Sequence, residues 1–202
     1  MKLDEIVIAT GNEGKAREFG AMFGGLFKKV SFLGEFPSVV MPEETGATFA
    51  ENSRIKARAV FEAIGTKPGR AVLADDSGLE VDGLGGRPGV RSARYAGENA
   101  TDRENTDKLM SEIIGVKDRR ARFVCHLTMA LPDGGELTAE GRCEGEITTD
   151  ERGEGGFGYD PVFFLPGLGR TMAELRPEHK NSISHRGKAA REIAAQVRAL
   201  AK

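Results

Sequence analysis

Two adjacent carboxylates, Asp75 and Asp76, close a short apolar run and are followed at once by Ser77 and Gly78. The run, residues 71–74, is bounded by a turn signal and predicts a buried strand that ends in a tight loop at a sheet edge. Two like charges persist most easily where a cation or a reacting proton compensates them. Mg²⁺ fits, because it binds one or two carboxylates together with substrate phosphates. A solvated turn is the alternative for an isolated pair.

A phosphate-binding turn is predicted near the N-terminus, where the strand-like residues 6–9 lead through a glycine-containing turn into a helix-like stretch. In this layout, backbone N–H groups at the helix start point at an anion and a lysine adds charge. Ala9 and Ala16 stand where a Walker A loop needs Gly and Ser or Thr, so that motif is excluded. An ordinary strand-to-helix turn is the alternative. The residues of the turn are Thr10, Gly11, Asn12, Glu13, Gly14 and Lys15.

A helix is predicted over residues 48–64, with Thr48 and Glu51 forming a capping-box pattern at its start. Asn52 and Lys56 fall on its apolar side, opposite the charged face. A lysine turned toward a core is costly unless it is paired or reaches into a cavity. An anionic ligand in a cleft explains this placement, and a side chain that snorkels past the apolar rim is the alternative.

A second helix is predicted over residues 184–200, with Ser184 as its N-cap. Arg186 lies on the buried stripe in the first turn, and His185 lies at the edge of that stripe. A basic helix start is unfavourable for the macrodipole, so a bound anion or polar base would compensate it. A surface-basic helix with a fortuitous arginine is the alternative.

Four glycines surround Phe157 within residues 153–158. Such a loop indicates unusual backbone dihedrals or a close approach to something. An aromatic ring on a glycine loop offers a stacking surface for a nucleobase. The alternative is a hairpin loop whose ring folds back on the core.

In this combination and order, the segments resemble the inosine/xanthosine triphosphate pyrophosphatase family, whose members hydrolyse deaminated purine nucleoside triphosphates. The resemblance spans essentially the whole chain, with no departure at a position that the family uses for chemistry. The matching stretches are residues 9–15, 43–46, 49–56, 74–79, 85–90, 92–95, 155–164 and 184–187.

The resemblance implies a role for each matched residue. Asp76 is expected to accept the proton of the attacking water, and Asp76 and Glu44 to hold Mg²⁺ with support from Asp75. Phe157 would stack on the base. The expected substrate-binding residues are Thr10, Gly11, Asn12, Glu13, Gly14, Lys15, Lys56, Ser77, Phe157, Gly158, Tyr159, Asp160, Lys180, His185 and Arg186.

Hydrolysis is expected at the α-phosphorus of ITP, dITP or XTP, giving the monophosphate and pyrophosphate. His185 and Arg186 would donate to the 6-keto oxygen of the base, with Asp160 and Lys180 framing the pocket. Two rivals stay open. One is a related nucleotide pyrophosphatase with another base preference, such as a Maf-like enzyme, and the other is a non-catalytic nucleotide sensor.

The composition bounds the remaining classes. The 202 residues suit one domain over residues 1–202 with two lobes, and a net charge of −2 argues against a nucleic-acid-binding surface. No stretch is apolar enough for a membrane span, and the N-terminus lacks a signal-peptide layout. We therefore expect a cytoplasmic protein that binds a small molecule and neither nucleic acid nor membrane, and the resemblance implies a homodimer.

The expected fold class is α/β, a central mixed β-sheet flanked by helices, with two lobes around a nucleotide-binding cleft. Cys125 and Cys143 are expected to be reduced, His126 to be a strand residue and His179 to be a solvated loop residue. The predicted strands lie near residues 5–10, 28–33, 71–75, 79–82, 121–131 and 136–149, and the predicted helices near 13–24, 48–64, 101–115 and 184–200.

Overall fold

The computed structural model describes residues 1–200. The strands are β1 (Glu5–Ile8), β2 (Lys29–Phe32), β3 (Arg70–Val81), β4 (Arg120–Ala130), β5 (Glu136–Ile147), β6 (Phe163–Leu165) and β7 (Arg170–Thr171). The α-helices are α1 (Glu13–Phe23), α2 (Phe49–Ile64), α3 (Asp102–Glu112), α4 (Pro177–Ile183) and α5 (His185–Leu200).

The strands form one mixed sheet in the order β2-β1-β3-β4-β5-β6-β7. β1 pairs in parallel with β2 and β3, so that Glu5 lies opposite both Lys29 and Arg70. β6 is antiparallel to β5 and β7. Helices separate the parallel strands along the chain, as parallel pairing requires. The expected α/β class with a mixed sheet is confirmed.

Capping boxes form at the starts of two helices, including the one predicted at α2. At α2 the Thr48 hydroxyl accepts a hydrogen bond from the Glu51 N–H at 3.1 Å, and the Glu51 carboxylate accepts one from the Thr48 N–H. Thr101 and Glu104 make the same reciprocal pair at α3. These local contacts satisfy N–H groups that a helix start otherwise leaves without a partner.

The chain divides into two compact units. Unit 1 comprises Met1–Asp76, Cys125–Gly141 and the described chain from Arg186 onward, and unit 2 comprises Ser77–Val124 and Arg142–His185. The boundary falls inside β3, between Asp76 and Ser77.

Unit 1 has an apolar cluster on each face of its strands. Ala71 and Leu73 of β3 belong to the cluster that contains residues of α1 and α5. Val72 and Ala74 belong to the cluster that contains residues of α2. This alternation follows from the two-residue period of a strand, and it decides where the next two side chains of β3 point.

Unit 2 has a core of its own. The end of β3 contributes Leu79 and Val81, and α3 contributes Leu109. Phe123 of β4 and Phe163 of β6 pack against each other with ring centroids 4.4 Å apart. This core supports the glycine-rich segment that precedes β6.

The prediction of two short strands separated by a turn at Ser77-Gly78 is wrong. β3 runs without interruption from Arg70 to Val81, so Asp75 and Asp76 lie inside the strand. β1 accompanies β3 only as far as Leu73, whereas β4 flanks β3 on the other side. Sheet pairing thus overrides the local turn preference of Ser-Gly.

Several smaller predictions are settled by the remaining elements. α4, β6 and β7 were not predicted, and His179 is an exposed residue of α4 instead of a loop residue. His126 lies in β4 as predicted. Cys125 and Cys143 are both buried thiols, which confirms that they are reduced. No helix in residues 1–200 has both the length and the apolar character needed to cross a membrane.

Candidate active site

Asp75 and Asp76 point to opposite faces of β3. Asp75 is in phase with Ala71 and Leu73 and therefore faces α1 and α5, whereas Asp76 is in phase with Val72 and faces α2. Both carboxylates are buried, at 3% and 5% exposure. The pair that looked like a single cluster in the sequence therefore serves two separate groups of side chains.

Asp75 is held as an anion by basic residues from α1 and α5. The Lys15 ammonium lies 2.7 Å from the Asp75 carboxylate. Burial opposes ionisation, but the positive charges of Lys15, Lys56 and Arg186 outweigh it and hold the pKa of Asp75 well below its usual range. Asp75 is therefore a permanent negative charge beside the phosphate-turn lysine.

Asp76 is in a different electrostatic state. Lys56 and Asn52 of α2 donate to its two oxygens, at 3.2 Å and 3.1 Å. Burial and the negative charge of Glu44 nevertheless outweigh these contacts and raise the pKa of Asp76 above its usual value. A buried carboxylate with a raised pKa has the character of a proton acceptor.

Lys56 connects Asp76 with Glu44, because its ammonium donates to Glu44 at 2.5 Å as well as to Asp76. The negative charges of Asp75, Asp76 and Glu44 raise the pKa of Lys56 despite its burial. Oxygens of two carboxylates thus converge on one cation, which is the donor set that Mg²⁺ takes alongside phosphates. In residues 1–200, no three His, Cys, Asp or Glu side chains gather as a ready metal cluster.

The predicted phosphate turn is present between β1 and α1. Asn12 caps α1 by accepting from the Lys15 N–H at 2.9 Å, and the Asn12 N–H donates to the Thr10 hydroxyl at 3.2 Å. Gly11 is exposed, and a Cβ there would meet no atom within 4 Å. Protein packing therefore does not explain this glycine, whereas close approach by an anion does.

A pocket of about 390 Å³ lies beside this turn in unit 1. The turn between β1 and α1 forms one wall of the pocket, and the end of β2 with the segment that follows it forms the other. The lining residues are Thr10, Gly11, Asn12, Glu13, Ala16, Phe32, Leu33, Gly34, Phe36, Pro37 and Val39.

Arg186 points inward from the first turn of α5, as predicted, and is 3% exposed. Its guanidinium forms an ion pair with Glu18 of α1 and lies 5.8 Å from the Phe19 ring centroid. The positive charge of Arg186 is among those that lower the pKa of Asp75. Glu18 was not among the predicted site residues, although a carboxylate one turn after Lys15 on the same helix is a usable signal.

Unit 2 brings together a second predicted group. The Asp160 carboxylate accepts from the Phe157 N–H at 2.9 Å and from the Lys180 ammonium at 2.5 Å. The Lys180 nitrogen also lies 4.7 Å from the centroid of the half-buried Phe157 ring. The three side chains therefore form one connected aromatic and charged cluster.

The glycine loop has the unusual backbone that its composition predicted. Gly156 has φ +77°, and a Cβ there would lie 2.1 Å from an Asp160 oxygen. Gly158 has φ +58°, and its N–H donates to Asp102 at 2.8 Å. The loop is therefore shaped to place Phe157 over the carboxylate–ammonium pair.

Three more predicted residues lie in unit 2. The Tyr159 hydroxyl donates to the Ser92 carbonyl at 2.9 Å. The buried His185 imidazole stacks on Phe123, with centroids 4.7 Å apart. Ser77 is a half-buried residue of β3, next to Asp76.

The two groups differ in the ligand chemistry that each one suits. In unit 1, carboxylates alternate with cations beside a helix start, which suits a polyanion that brings a divalent cation. In unit 2, an aromatic ring, an imidazole and an ammonium–carboxylate pair suit a planar ring with polar edges.

Comparison with known proteins identifies the family of the chain. Residues 6–196 match the model of the Ham1 family. The dITP/XTP pyrophosphatase of Geobacillus kaustophilus is 54% identical over 189 residues, covering 93% of this chain and 91% of the relative. The dITP/XTP pyrophosphatase of Halalkalibacterium halodurans is 47% identical over 193 residues, covering 95% and 97%.

Solved structures lead to the same family. The Ham1 protein of Staphylococcus aureus superposes with a TM-score of 0.85 at 43% identity, covering 98% of this chain and all of that one (100%). A HAM1 protein of Coxiella burnetii gives 0.84 at 41% identity, with coverage of 98% and 100%. The chain belongs to the Ham1 family.

Proposed function

We propose that this protein is an enzyme that hydrolyses deaminated purine nucleoside triphosphates, namely ITP, dITP and XTP, to the monophosphate and pyrophosphate. Its relatives named dITP/XTP pyrophosphatases match it over nearly their whole length. The observation that carries the proposal is the Lys56 ammonium, which the buried Asp76 carboxylate and the half-buried Glu44 carboxylate share.

Phosphate binding is assigned to the turn between β1 and α1. A nucleoside triphosphate carries about four negative charges, which must be neutralised before water attacks phosphorus. Gly11, Glu13 and Gly14 offer backbone N–H groups at a helix start, and Lys15 and Lys56 add two ammonium groups. The Asn12 amide nitrogen is a further donor, since its oxygen is already used in capping α1.

Glu44 and Asp76 would hold Mg²⁺, with Asp75 supporting the site as a fixed negative charge. When bound, the ion would neutralise phosphate charge and polarise the phosphoryl oxygens. Lys56 already occupies this position as a cation between the two carboxylates, so its ammonium would move toward the substrate phosphates.

Asp76 is the proposed proton acceptor for water that attacks the α-phosphorus. Its raised pKa brings its basicity closer to neutral pH than that of Asp75, whose pKa is lowered. Asn52 and Lys56 hold one oxygen each, which fixes the direction of the carboxylate. The two neighbouring aspartates thus divide the work between a base and a fixed charge.

Base recognition is assigned chiefly to unit 2. Phe157 would stack on the purine, and Asp160 and Lys180 would frame the pocket around it. His185 and Arg186 would donate to the 6-keto oxygen, which adenine replaces with an amino group. A base that leaves these donors without a hydrogen-bond acceptor can be disfavoured by up to ~10⁴-fold in kcat/KM. Guanine keeps the keto oxygen, so these donors do not exclude GTP.

The test is pyrophosphate release, with and without Mg²⁺, from ITP, XTP, GTP, ATP and their deoxy forms. We expect Mg²⁺-dependent release with a strong preference for the inosine and xanthosine nucleotides over ATP. No release from any of them would overturn the assignment, and equal release from all would remove the base preference.

Two predictions remain to be tested, the homodimer that the family resemblance implies and the single domain over residues 1–202 that the chain length favours. Sedimentation equilibrium measures the first. Cooperative unfolding that is the same by circular dichroism and by calorimetry would support the second.

A further inference from the structure

Asn52 is a fully buried amide whose two ends are both used. Its exposure is 0%, its nitrogen donates to Asp76 Oδ2 at 3.1 Å, and its oxygen accepts from the Gly46 N–H at 2.8 Å. An asparagine side chain can donate and accept at once, whereas a carboxylate can only accept. The side chain therefore ties β3 to the segment that carries Glu44.

Gly46 is shaped for this contact. A Cβ at Gly46 would lie 2.7 Å from the Asn52 oxygen and 2.6 Å from the Glu51 Cβ, closer than real Cβ atoms approach other atoms. Close approach explains why this position is glycine. Glu44 lies two residues earlier, so the contact fixes the backbone next to one proposed metal ligand.

The same face of α2 also contacts Asp76, the other proposed metal ligand. Asn52 and Lys56 are one turn apart on α2 and bind different oxygens of Asp76. The neighbouring Ser53 hydroxyl makes a 2.8 Å hydrogen bond with Thr128 of β4, which holds α2 against the sheet. The orientation of the Asp76 carboxylate is therefore set by two donors from one anchored helix.

We propose that Asn52 is a positioning residue that holds Glu44 and Asp76 at the spacing at which both bind one cation, and so sets the affinity of the site for the divalent metal. This rests on the proposed function. A side chain without the amide would leave the Gly46 N–H and one Asp76 oxygen unpaired, and the two carboxylates would lose their common support.

The test compares Asn52→Ala with Asn105→Ala. Asn105 in unit 2 is a matched control, because it is 3% exposed, donates to the Ala93 carbonyl at 3.0 Å and accepts from the Ala96 N–H at 2.8 Å. It bridges two backbone segments in the same way but contacts neither carboxylate.

We expect Asn52→Ala to raise the half-saturating Mg²⁺ concentration for ITP hydrolysis by ~10-fold or more, with KM for ITP at saturating Mg²⁺ little changed. Mn²⁺ binding to the protein with a non-hydrolysable ITP analogue, measured by electron paramagnetic resonance, should weaken by a similar factor. Asn105→Ala should lower the melting temperature and leave both metal measurements unchanged.

Gly46→Ala perturbs the same Asn52–Gly46 contact without changing Asn52. This variant tests the proposal if Asn52→Ala does not fold. Weaker Mn²⁺ binding in this variant supports the proposal. Unchanged metal affinity in Gly46→Ala, or an Asn52→Ala effect no larger than that of Asn105→Ala, would overturn it. Failure of the proposed function is distinct, since the wild-type protein would then release no pyrophosphate.

Discussion

Two buried carboxylates, near the two ends of the parallel strands in unit 1, are held in opposite ways. Glu5 begins β1 and accepts from Lys67 at 3.0 Å, Arg70 at 3.0 Å and Ser31 at 3.2 Å. Lys29 lies 3.5 Å away as a third cation. At this end of the strands, one carboxylate is surrounded by an excess of positive charge.

Asp76, beyond the other end of β1, shares its cation. Lys56 serves both Asp76 and Glu44, so two carboxylates share one ammonium. Burial opposes ionisation of both Glu5 and Asp76. The cations around Glu5 lower its pKa to about 2, whereas the pKa of Asp76 is raised.

The ion network around Glu5 stabilises the fold, whereas Asp76 and Glu44 have one ammonium between them. A carboxylate whose charge is more than compensated by neighbouring cations stabilises the fold and does not favour binding of a further cation. Carboxylates that share one ammonium favour an additional positive charge, which the proposed metal ion would supply. The number of cations that contact each carboxylate, and not its burial, distinguishes Glu5 from Asp76.

The largest expected effect is that of Asp76→Asn. Removing the proton acceptor and one metal charge should lower kcat for ITP by ~10²-fold or more. Stability at pH 7 should hold or rise, because a raised pKa means that the fold disfavours the ionised form. Turnover assays and thermal unfolding measure the two quantities, and near-normal kcat in saturating Mg²⁺ would contradict the role given to Asp76.

Asp75→Asn is the matched variant for that comparison. The pKa of Asp75 is lowered, so its ionised form stabilises the fold at pH 7 and its loss should lower the melting temperature. If both variants changed stability in the same direction, the electrostatic distinction between the two aspartates would be wrong.

Lys56→Met should come next in size. Methionine fills a similar volume but leaves Glu44 and Asp76 facing each other without their shared cation. We expect a loss on the order of 3 kcal/mol at pH 7, partly recovered on adding Mg²⁺, and a higher KM for ITP. Chemical unfolding with and without Mg²⁺ measures the loss of stability, and steady-state kinetics measure KM for ITP. A stability loss that Mg²⁺ does not reduce would argue against a shared cation site.

Glu5→Gln should destabilise the protein without changing kcat. The lowered pKa means that the ionised Glu5 stabilises the fold above its unfolded-state pKa and that this contribution is lost as pH falls through about 2. The shift from 4.5 to about 2 corresponds to on the order of 3 kcal/mol at neutral pH. Urea unfolding between pH 7 and pH 2 should show the variant converging on the wild type at the acid end.

The exposed Glu62 of α2 provides the control, and Glu62→Gln should leave the unfolding free energy within a few tenths of a kcal/mol of wild type at every pH. A fall in kcat for Glu5→Gln would break the comparison, since Glu5 would then take part in the chemistry.

Arg186→Ala should have the smallest and most selective effect, a ~10-fold erosion of the preference for ITP over ATP. Arg186→Lys is the control, because it keeps the charge beside Glu18 and Asp75 but loses the planar donor group. The measurement is kcat/KM for ITP, GTP and ATP. An equal loss on all three nucleotides would show that Arg186 serves Asp75 or the phosphates, and not the base.

Local spacing was enough to predict much of the site. The capping box of α2, the inward Lys56 and Arg186, and the strand–turn–helix at Lys15 all follow from periodicities within about one or two helical turns. Their burial is as expected, because a helix face is determined by residues close in sequence.

The division between Asp75 and Asp76 could not be predicted in this way. Ser77-Gly78 is a turn signal by composition, but β3 continues through it beside β4. Sheet pairing depends on residues distant in sequence, so local chemistry misjudges it.

Partners distant in sequence were missed for the same reason. Arg186 pairs with Glu18 across 168 residues, and Asn52 bonds Asp76 across 24. Arg186 and Asn52 each carried a visible signal, a charged or polar group on a buried helix face. Which group it meets is decided by the packing of helices on the sheet.

The uninterrupted course of β3 also limits how this protein can change during evolution. Inserting or deleting one residue between Arg70 and Asp75 would exchange the faces of Asp75 and Asp76, sending each to the other's partners. A carboxylate pair in a loop could tolerate such a change, but one embedded in a strand cannot. With the roles proposed above, substrate preference would change through the glycine loop around Phe157, while β3 keeps its length.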